Sequence, residues 1–391
     1  MRTSGETGKP MSTGAWVRTP AWDLFWLHSP LWMLPLVVVL RIGWPSAETS
    51  PISTLYLVLA GLFWIGHRFS STWMAWMSEP YRPLLTSQRH RFLTVPAVVI
   101  LATVLAILDP FAVLPGTALS RAIVIGGVDY LLVTWHFSAQ HFGLLSLYRV
   151  RSGRTADGTT RTLDRAFAIG VGGGLIILAE LLQGATGIPV GWQEALHLTA
   201  PLREHADALT LVGQGLAVVL TIALLVRERR QGPWGPRALY IVGMGGMVLA
   251  AFAWDPYIFF VFWTAQHWLA AMGLASQVVA SSALPPPDAR WHRLMHRINR
   301  SEVRWVLCIA LLSLLTMPLY EVESSGGPDD RPGLDALGHN AATWLTSDTA
   351  LPWLLALGFA TAFLHYLLDR AVWRLSDPEV RRAASGLMRP R

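Results

Sequence analysis

Residues Phe92 to Leu114 read FLTVPAVVILATVLAILDPFAVL, an apolar run interrupted by a single charge, Asp109. Wound as a helix at about 1.5 Å per residue, such a run spans the hydrocarbon core of a bilayer, about 30 Å. It is one of a series. Comparable runs are Leu24 to Trp44, Ile52 to Met77, Ala118 to Tyr148, Arg165 to Ile188, Asp207 to Arg227, Pro236 to Ala253, Pro256 to Ser281, Val303 to Val322 and Leu351 to Arg374. Clusters of Pro, Gly, Asp or Arg bound each of them, as transmembrane segments require. The expected fold is therefore an all-α, polytopic integral membrane helical bundle of about ten transmembrane helices. A cytoplasmic segment over residues 1–23 precedes a transmembrane domain over 24–374, and a basic cytoplasmic tail over 375–391 follows. The first segment lacks the basic stretch, apolar core and small-residue cleavage site of a signal peptide, and reads as retained.

Composition agrees with this reading. Of 391 residues, 52% are hydrophobic and only 14% charged, against about 25% charged in an average soluble domain; mean hydropathy is +0.40. A soluble globular protein is excluded. The only lysine is Lys9, outside every apolar run, so an intramembrane Schiff-base lysine and a rhodopsin-like function are excluded too. One cysteine, Cys308, rules out disulfides, thiolate metal cages and iron–sulfur clusters together. Any metal must be held by nitrogen or oxygen.

Basic residues give the orientation. With ten spans, 26 of the 31 basic residues fall in alternate segments, including Arg149 to Arg165, Arg290 to Arg304 and Arg370 to Arg391. The positive-inside rule then places both termini in the cytoplasm of a multi-pass protein of the bacterial inner (cell) membrane. The net charge of +6 follows from topology and attraction to anionic membrane lipids, and needs no nucleic acid. The stretch Trp291 to Arg304 is basic and amphipathic and suits the membrane surface, with His292 and His296 on its solvated face.

A histidine or acid inside hydrocarbon costs a few kcal/mol and is a functional hypothesis by default. Apart from His28, at the membrane edge, five of the twelve histidines lie inside runs: His67, His136, His141, His267 and His365. They fall on even-numbered spans, which run in one direction, and at similar depth, counted at about 1.5 Å per residue. Two of those spans share a short repeat, Ser138-Ala139-Gln140-His141-Phe142 and Thr264-Ala265-Gln266-His267-Trp268. The repeat marks His141 and His267 as equivalent ligands from duplicated halves, leaving His136 on a stripe with Asp129 and Gln140. Asp369 stands one turn from His365 and is placed to accept its second ring N–H, or to pair with Arg370 or Arg374. The expected ligand set is His67, His141, His267 and His365. Asp129, His136, Gln140, Gln266 and Asp369 are expected as outer partners or substrate contacts. Neutral imidazoles suit iron (Fe2+), copper and zinc, and three or four with an open position form a site able to bind dioxygen.

Gly66-His67-Arg68, Gln140-His141-Phe142-Gly143, the aromatic run from Phe259 to Trp268 that carries His267, and Leu364-His365-Tyr366-Leu367-Leu368-Asp369 together resemble the histidine landmarks of the Brp/Blh-type β-carotene 15,15'-dioxygenases. The resemblance implies an intramembrane ferrous ion held by histidines and an oxygenase that cleaves a lipophilic small-molecule substrate, a carotenoid or lipid, with dioxygen. Membrane desaturases fit poorly, since only His292 and His296 form an H-x-x-x-H pair. Two further readings stay open: a proton- or ion-coupled transporter using the buried histidines and acids, and a haem b protein with two of the histidines as axial ligands.

Overall fold

The computed structural model describes residues 15–43, 55, 58–183, 204–253, 256–281, 290–324 and 339–387. Among the described residues every regular element is helical. Six helices are long and apolar enough to cross a membrane: His90–Leu108, Ala118–Arg151, Gly158–Ala179, Ala206–Arg230, Pro236–Ala253 and Leu351–Val372. Two bent helix pairs raise the number to eight if each pair is one span. The chain is thus an all-α polytopic bundle, with fewer such helices among the described residues than the ten runs suggest.

The bends have local causes. The run Leu24 to Trp44 is divided into α1 (Pro20–Trp26) and α2 (Pro30–Gly43), inclined at 55°. Pro30 opens α2, where its missing N–H costs nothing, and His28 and Ser29 fill the break. Residue 44 lies outside the described residues, as do residues 184–203, which include His197. The run Ile52 to Met77 contains a π-helical turn, Ala60–Trp64, leading into α3 (Ile65–Met77). Here His67, Arg68, Ser70, Ser71 and Thr72 follow one another closely, so α3 falls short of a span in apolarity. A second π-turn, His90–Thr94, leads into α4 (Val95–Leu108).

Next comes α5 (Ala118–Arg151), opened by Thr117, whose hydroxyl accepts the Ser120 N–H. At 34 residues it measures about 51 Å, and so overshoots a hydrocarbon core at its arginine-bearing end. The helix α6 (Gly158–Ile169) is capped by Asp157 and passes through a third π-turn, Gly170–Gly174, into α7 (Leu175–Gln183). Then follow α8 (Ala206–Arg230), α9 (Pro236–Ala253), α10 (Pro256–Val279), α11 (Arg290–Asn299), α12 (Glu302–Ser324), α13 (Leu351–Val372) and α14 (Pro378–Ala383).

The centre of the bundle is α10. From Phe262 to Val279 its side chains are buried on every side, apart from half-buried Thr264, the mark of a helix enclosed by others. Around it stand α3, α7, α9 and α12, while α13 packs along α3, α4, α5 and α12. By contrast α8 is apolar and mostly exposed, which gives it the outward, lipid-facing position.

Three sequence expectations are corrected here. First, α11 turns through 107° into α12, but its histidine is not solvated. His296 is buried, with Nδ1 2.5 Å from Glu79 Oε1. Asn299 accepts from the Trp73 indole and donates to the Met77 carbonyl, so α11 lies against the end of α3. The side chain of His292 lies outside the described residues. Second, residues 375–387 of the basic tail pack on the bundle. Val380, Ala383, Ala384 and Leu387 are buried, and Gln277 of α10 donates to the Gly386 carbonyl. Third, the arginines at one end of the bundle do not all face headgroups. Arg237 is buried between Asp164 and Glu228, Arg149 also binds Asp164, and Arg154 also binds Glu228. This network ties α5, α6, α8 and α9 together below the surface.

Close approach of α5 to the third π-turn depends on glycine. A Cβ at Gly172 would stand 2.7 Å from the His141 ring, and one at Gly173 would stand 2.3 Å from Ser138 Oγ. Gly172→Ala is expected to lower stability by about 1–3 kcal/mol through overpacking, read as a lower unfolding temperature in detergent. Gly143→Ala, whose Cβ would meet nothing within 4 Å, is expected to leave it unchanged.

Candidate metal centre

Four helices bring one imidazole each to a common point: His67 on α3, His136 on α5, His267 on α10 and His365 on α13. All four are buried, at most 5% exposed. Ring centroids are 4.7 Å apart for His67 and His365, 5.0 Å for His67 and His267, and 4.9 Å for His136 with each of His267 and His365. The rings close a circuit, across which His267 and His365 face each other at 6.4 Å. These contacts are edge-on, with interplanar angles of 73° to 85°.

His141, expected to complete the set, stands outside this circuit. Its Nδ1 is hydrogen-bonded to the Tyr240 hydroxyl of α9, and its ring packs on Gly172. His136, five residues earlier and so about 140° around the helix, takes the place in the circuit instead. Helix α5 therefore presents two buried imidazoles to two different neighbours.

Hydrogen bonds fix the state of two rings. His67 Nδ1–H donates to the Trp64 carbonyl, at the end of the π-turn, and His267 Nδ1–H donates to the Gln140 amide oxygen. A carbonyl oxygen only accepts, so the proton sits on Nδ1 and Nε2 carries a lone pair. Gln140 also donates to the His267 carbonyl at 3.3 Å, which clamps that residue from both sides. His365 Nδ1 lies 3.0 Å from Ser71 Oγ. The Nε2 atoms of His136, His267 and His365 are buried without a hydrogen-bond partner among the described residues. Leaving a polar nitrogen so costs about 1–3 kcal/mol each; His141 Nε2, outside the circuit, is unpaired in the same way.

One ligand atom from each of His67, His267 and His365 lies within 4.8 Å of the others, and the same holds for His136, His365 and Asp369. Asp369 Oδ2 is 3.4 Å from His136 Nε2, and its Oδ1 is 3.9 Å from His365 Nδ1. Arg370, a candidate partner for Asp369, instead lies over the exposed ring of Trp135, which keeps that tryptophan off the centre. The walls are aromatic. Phe137 stacks on His267 at 3.9 Å, Trp263 packs on Phe137, Trp268 stacks on His67, and Tyr366 lies 4.9 Å from His136.

The remaining expected residues are placed less centrally. Asp129 is half-buried on α5, seven residues and about 10 Å along the axis from His136. Gln266 is buried beside the Tyr240 hydroxyl rather than against a ring of the circuit. Residues that sequence reasoning passes over form a second buried polar group. Tyr148 donates to Asp23 Oδ2 at 2.9 Å and meets His28 Nε2 at 2.9 Å, and both aromatic rings stand about 6 Å from Tyr240. These partners are more than ninety residues apart in sequence, and no local pattern announces them.

No protein-family model, no curated protein and no solved structure matches the chain. The functional reading therefore rests on the residues themselves. If Tyr240 is what satisfies His141, Tyr240→Phe is expected to leave a buried Nδ1 unpaired and to cost about 1–3 kcal/mol. Thermal unfolding in detergent measures this, and an unchanged midpoint would refute the pairing.

Proposed function

We propose that the chain is an integral membrane metal-dependent oxidoreductase, in which His67, His267 and His365 hold a transition-metal ion for dioxygen chemistry on a lipophilic substrate. The observation that carries this reading is three buried imidazole nitrogens within 4.8 Å of one another, two of them without a hydrogen-bond partner among the described residues. Neutral imidazoles suit iron, copper and zinc, and iron is the ion the sequence resemblance implies. Such an ion, when bound, supplies Lewis acidity and one-electron redox chemistry.

The chain's own residues do the rest. The Trp64 carbonyl and Gln140 keep His67 and His267 in the tautomer that offers Nε2, and Ser71 orients His365. Phe137, Trp263, Trp268 and Tyr366 keep water from the rings and present flat apolar surface to a substrate. A substrate dissolved in lipid suits a site enclosed by membrane-spanning helices. Charge supports placing the arginine-rich end, with both termini, in the cytoplasm of a bacterial inner membrane.

A bare ion fits the circuit better than haem. Between His267 and His365, where a porphyrin plane would pass, the rings of His67 and His136 stand within 5.0 Å of both. Ligation by this pair leaves no room for that macrocycle.

The test is metal binding by the purified protein. Anaerobic titration with ferrous iron is expected to show tight binding, with His267→Ala weakening it at least as much as loss of an outer partner does, about 10- to 100-fold. His90→Ala, an exposed position, should leave affinity unchanged. Absence of bound metal would overturn the reading in favour of transport, and a Soret band would overturn it in favour of haem.

A further inference from the structure

The four rings do not form one set of donors. His136 is absent from the group in which His67, His267 and His365 converge, and belongs to a second group with His365 and Asp369. Its Nε2 lies 3.4 Å from Asp369 Oδ2 and has no hydrogen-bond partner among the described residues. We propose that this second group, His136, His365 and Asp369, is a second cation position, so that the centre holds two divalent transition-metal ions side by side, with His365 common to both as an imidazolate that gives one ring nitrogen to each ion and releases its ring proton on loading. The proposal rests on the metal-binding reading above and extends it from one ion to two.

The carboxylate supplies the argument. Asp369 is 5% exposed, in the last turns of a helix packed on four others. Its neighbours within ion-pair distance are two imidazoles, His136 and His365, and the guanidinium of Arg370 is engaged with Trp135 instead. Ser71 and Trp373 are its hydrogen-bonding neighbours, yet Oδ1 is left without a partner. A buried carboxylate needs a counter-charge or a proton, because neutral hydrogen bonds do not replace its hydration. A divalent cation between Oδ and the two imidazoles supplies the charge and takes up the unpartnered Oδ1 and Nε2 atoms together. Two histidines with one carboxylate are also a donor set that suits non-haem Fe2+. The first position is therefore all-nitrogen, and the second adds the Asp369 carboxylate. Ferrous iron, which accepts both donor types, is the ion class that fills both.

Ferrous iron retained per chain after anaerobic loading and gel filtration in detergent decides the matter. About two ions are expected for the wild type, and about one for each of Asp369→Asn, His136→Ala and His267→Ala, as fits two positions with separate donors. Helical content by circular dichroism accompanies each variant. One ion in the wild type, unchanged in Asp369→Asn, would overturn the second position and leave Asp369 as an orienting partner of a single site. Two ions retained in Asp369→Asn and in His136→Ala would overturn it as well. Folded variants that retain none would show one indivisible site, which also overturns it. No iron in the wild type would remove the metal reading altogether, a result distinct from the loss of the second position alone.

Discussion

An imidazole has two nitrogens, and in the apolar interior of a bundle each must find a partner or leave its neighbours to bear the cost of a buried unpaired group. The centre is built on this requirement. At His67 and His267 one nitrogen is committed to a carbonyl oxygen, from the π-turn at Trp64 and from Gln140. The other nitrogen is thereby fixed as a bare lone pair facing its counterparts. His141 likewise commits its Nδ1, to Tyr240, and leaves its Nε2 unpaired among the described residues, but its ring packs on Gly172 outside the circuit.

Holding such rings in place requires a rigid frame, and the frame is α10. Because nearly every side chain from Phe262 to Val279 is enclosed, His267 cannot swing toward lipid. The helices that carry His67, His136 and His365 lean on this core or on one another through α13. Stacking of Phe137 and Trp268 on two of the rings narrows the remaining freedom and excludes the water that would otherwise pair with the open nitrogens.

The helical, membrane-spanning class of fold is legible in the sequence because apolar length is a local property, visible in one run at a time. The bends are not, since a break at His28 and Ser29 before Pro30 reads as a continuous run until packing is known. Intramembrane histidines likewise point to the four helices whose imidazoles come together. The choice between His136 and His141 is hidden because both lie on α5 at a buried depth, and the neighbours decide which is available. The pentapeptide repeat points to His141, but Tyr240 and Gly172, from α9 and the third π-turn, occupy that side. In α11 the amphipathic pattern suggests a solvated His296, whereas Glu79, more than two hundred residues away, draws it inward.

The buried network around Arg237 bears on biogenesis. Asp164 is made 73 residues before Arg237, the residue that links it to Glu228, whereas Glu228 precedes Arg237 by only 9. Until Arg237 arrives, α6 carries a carboxylate whose central partner is missing, and Arg149 is the counter-charge already in the chain. Insertion of α9 completes the network, joining α6 and α8 through one guanidinium.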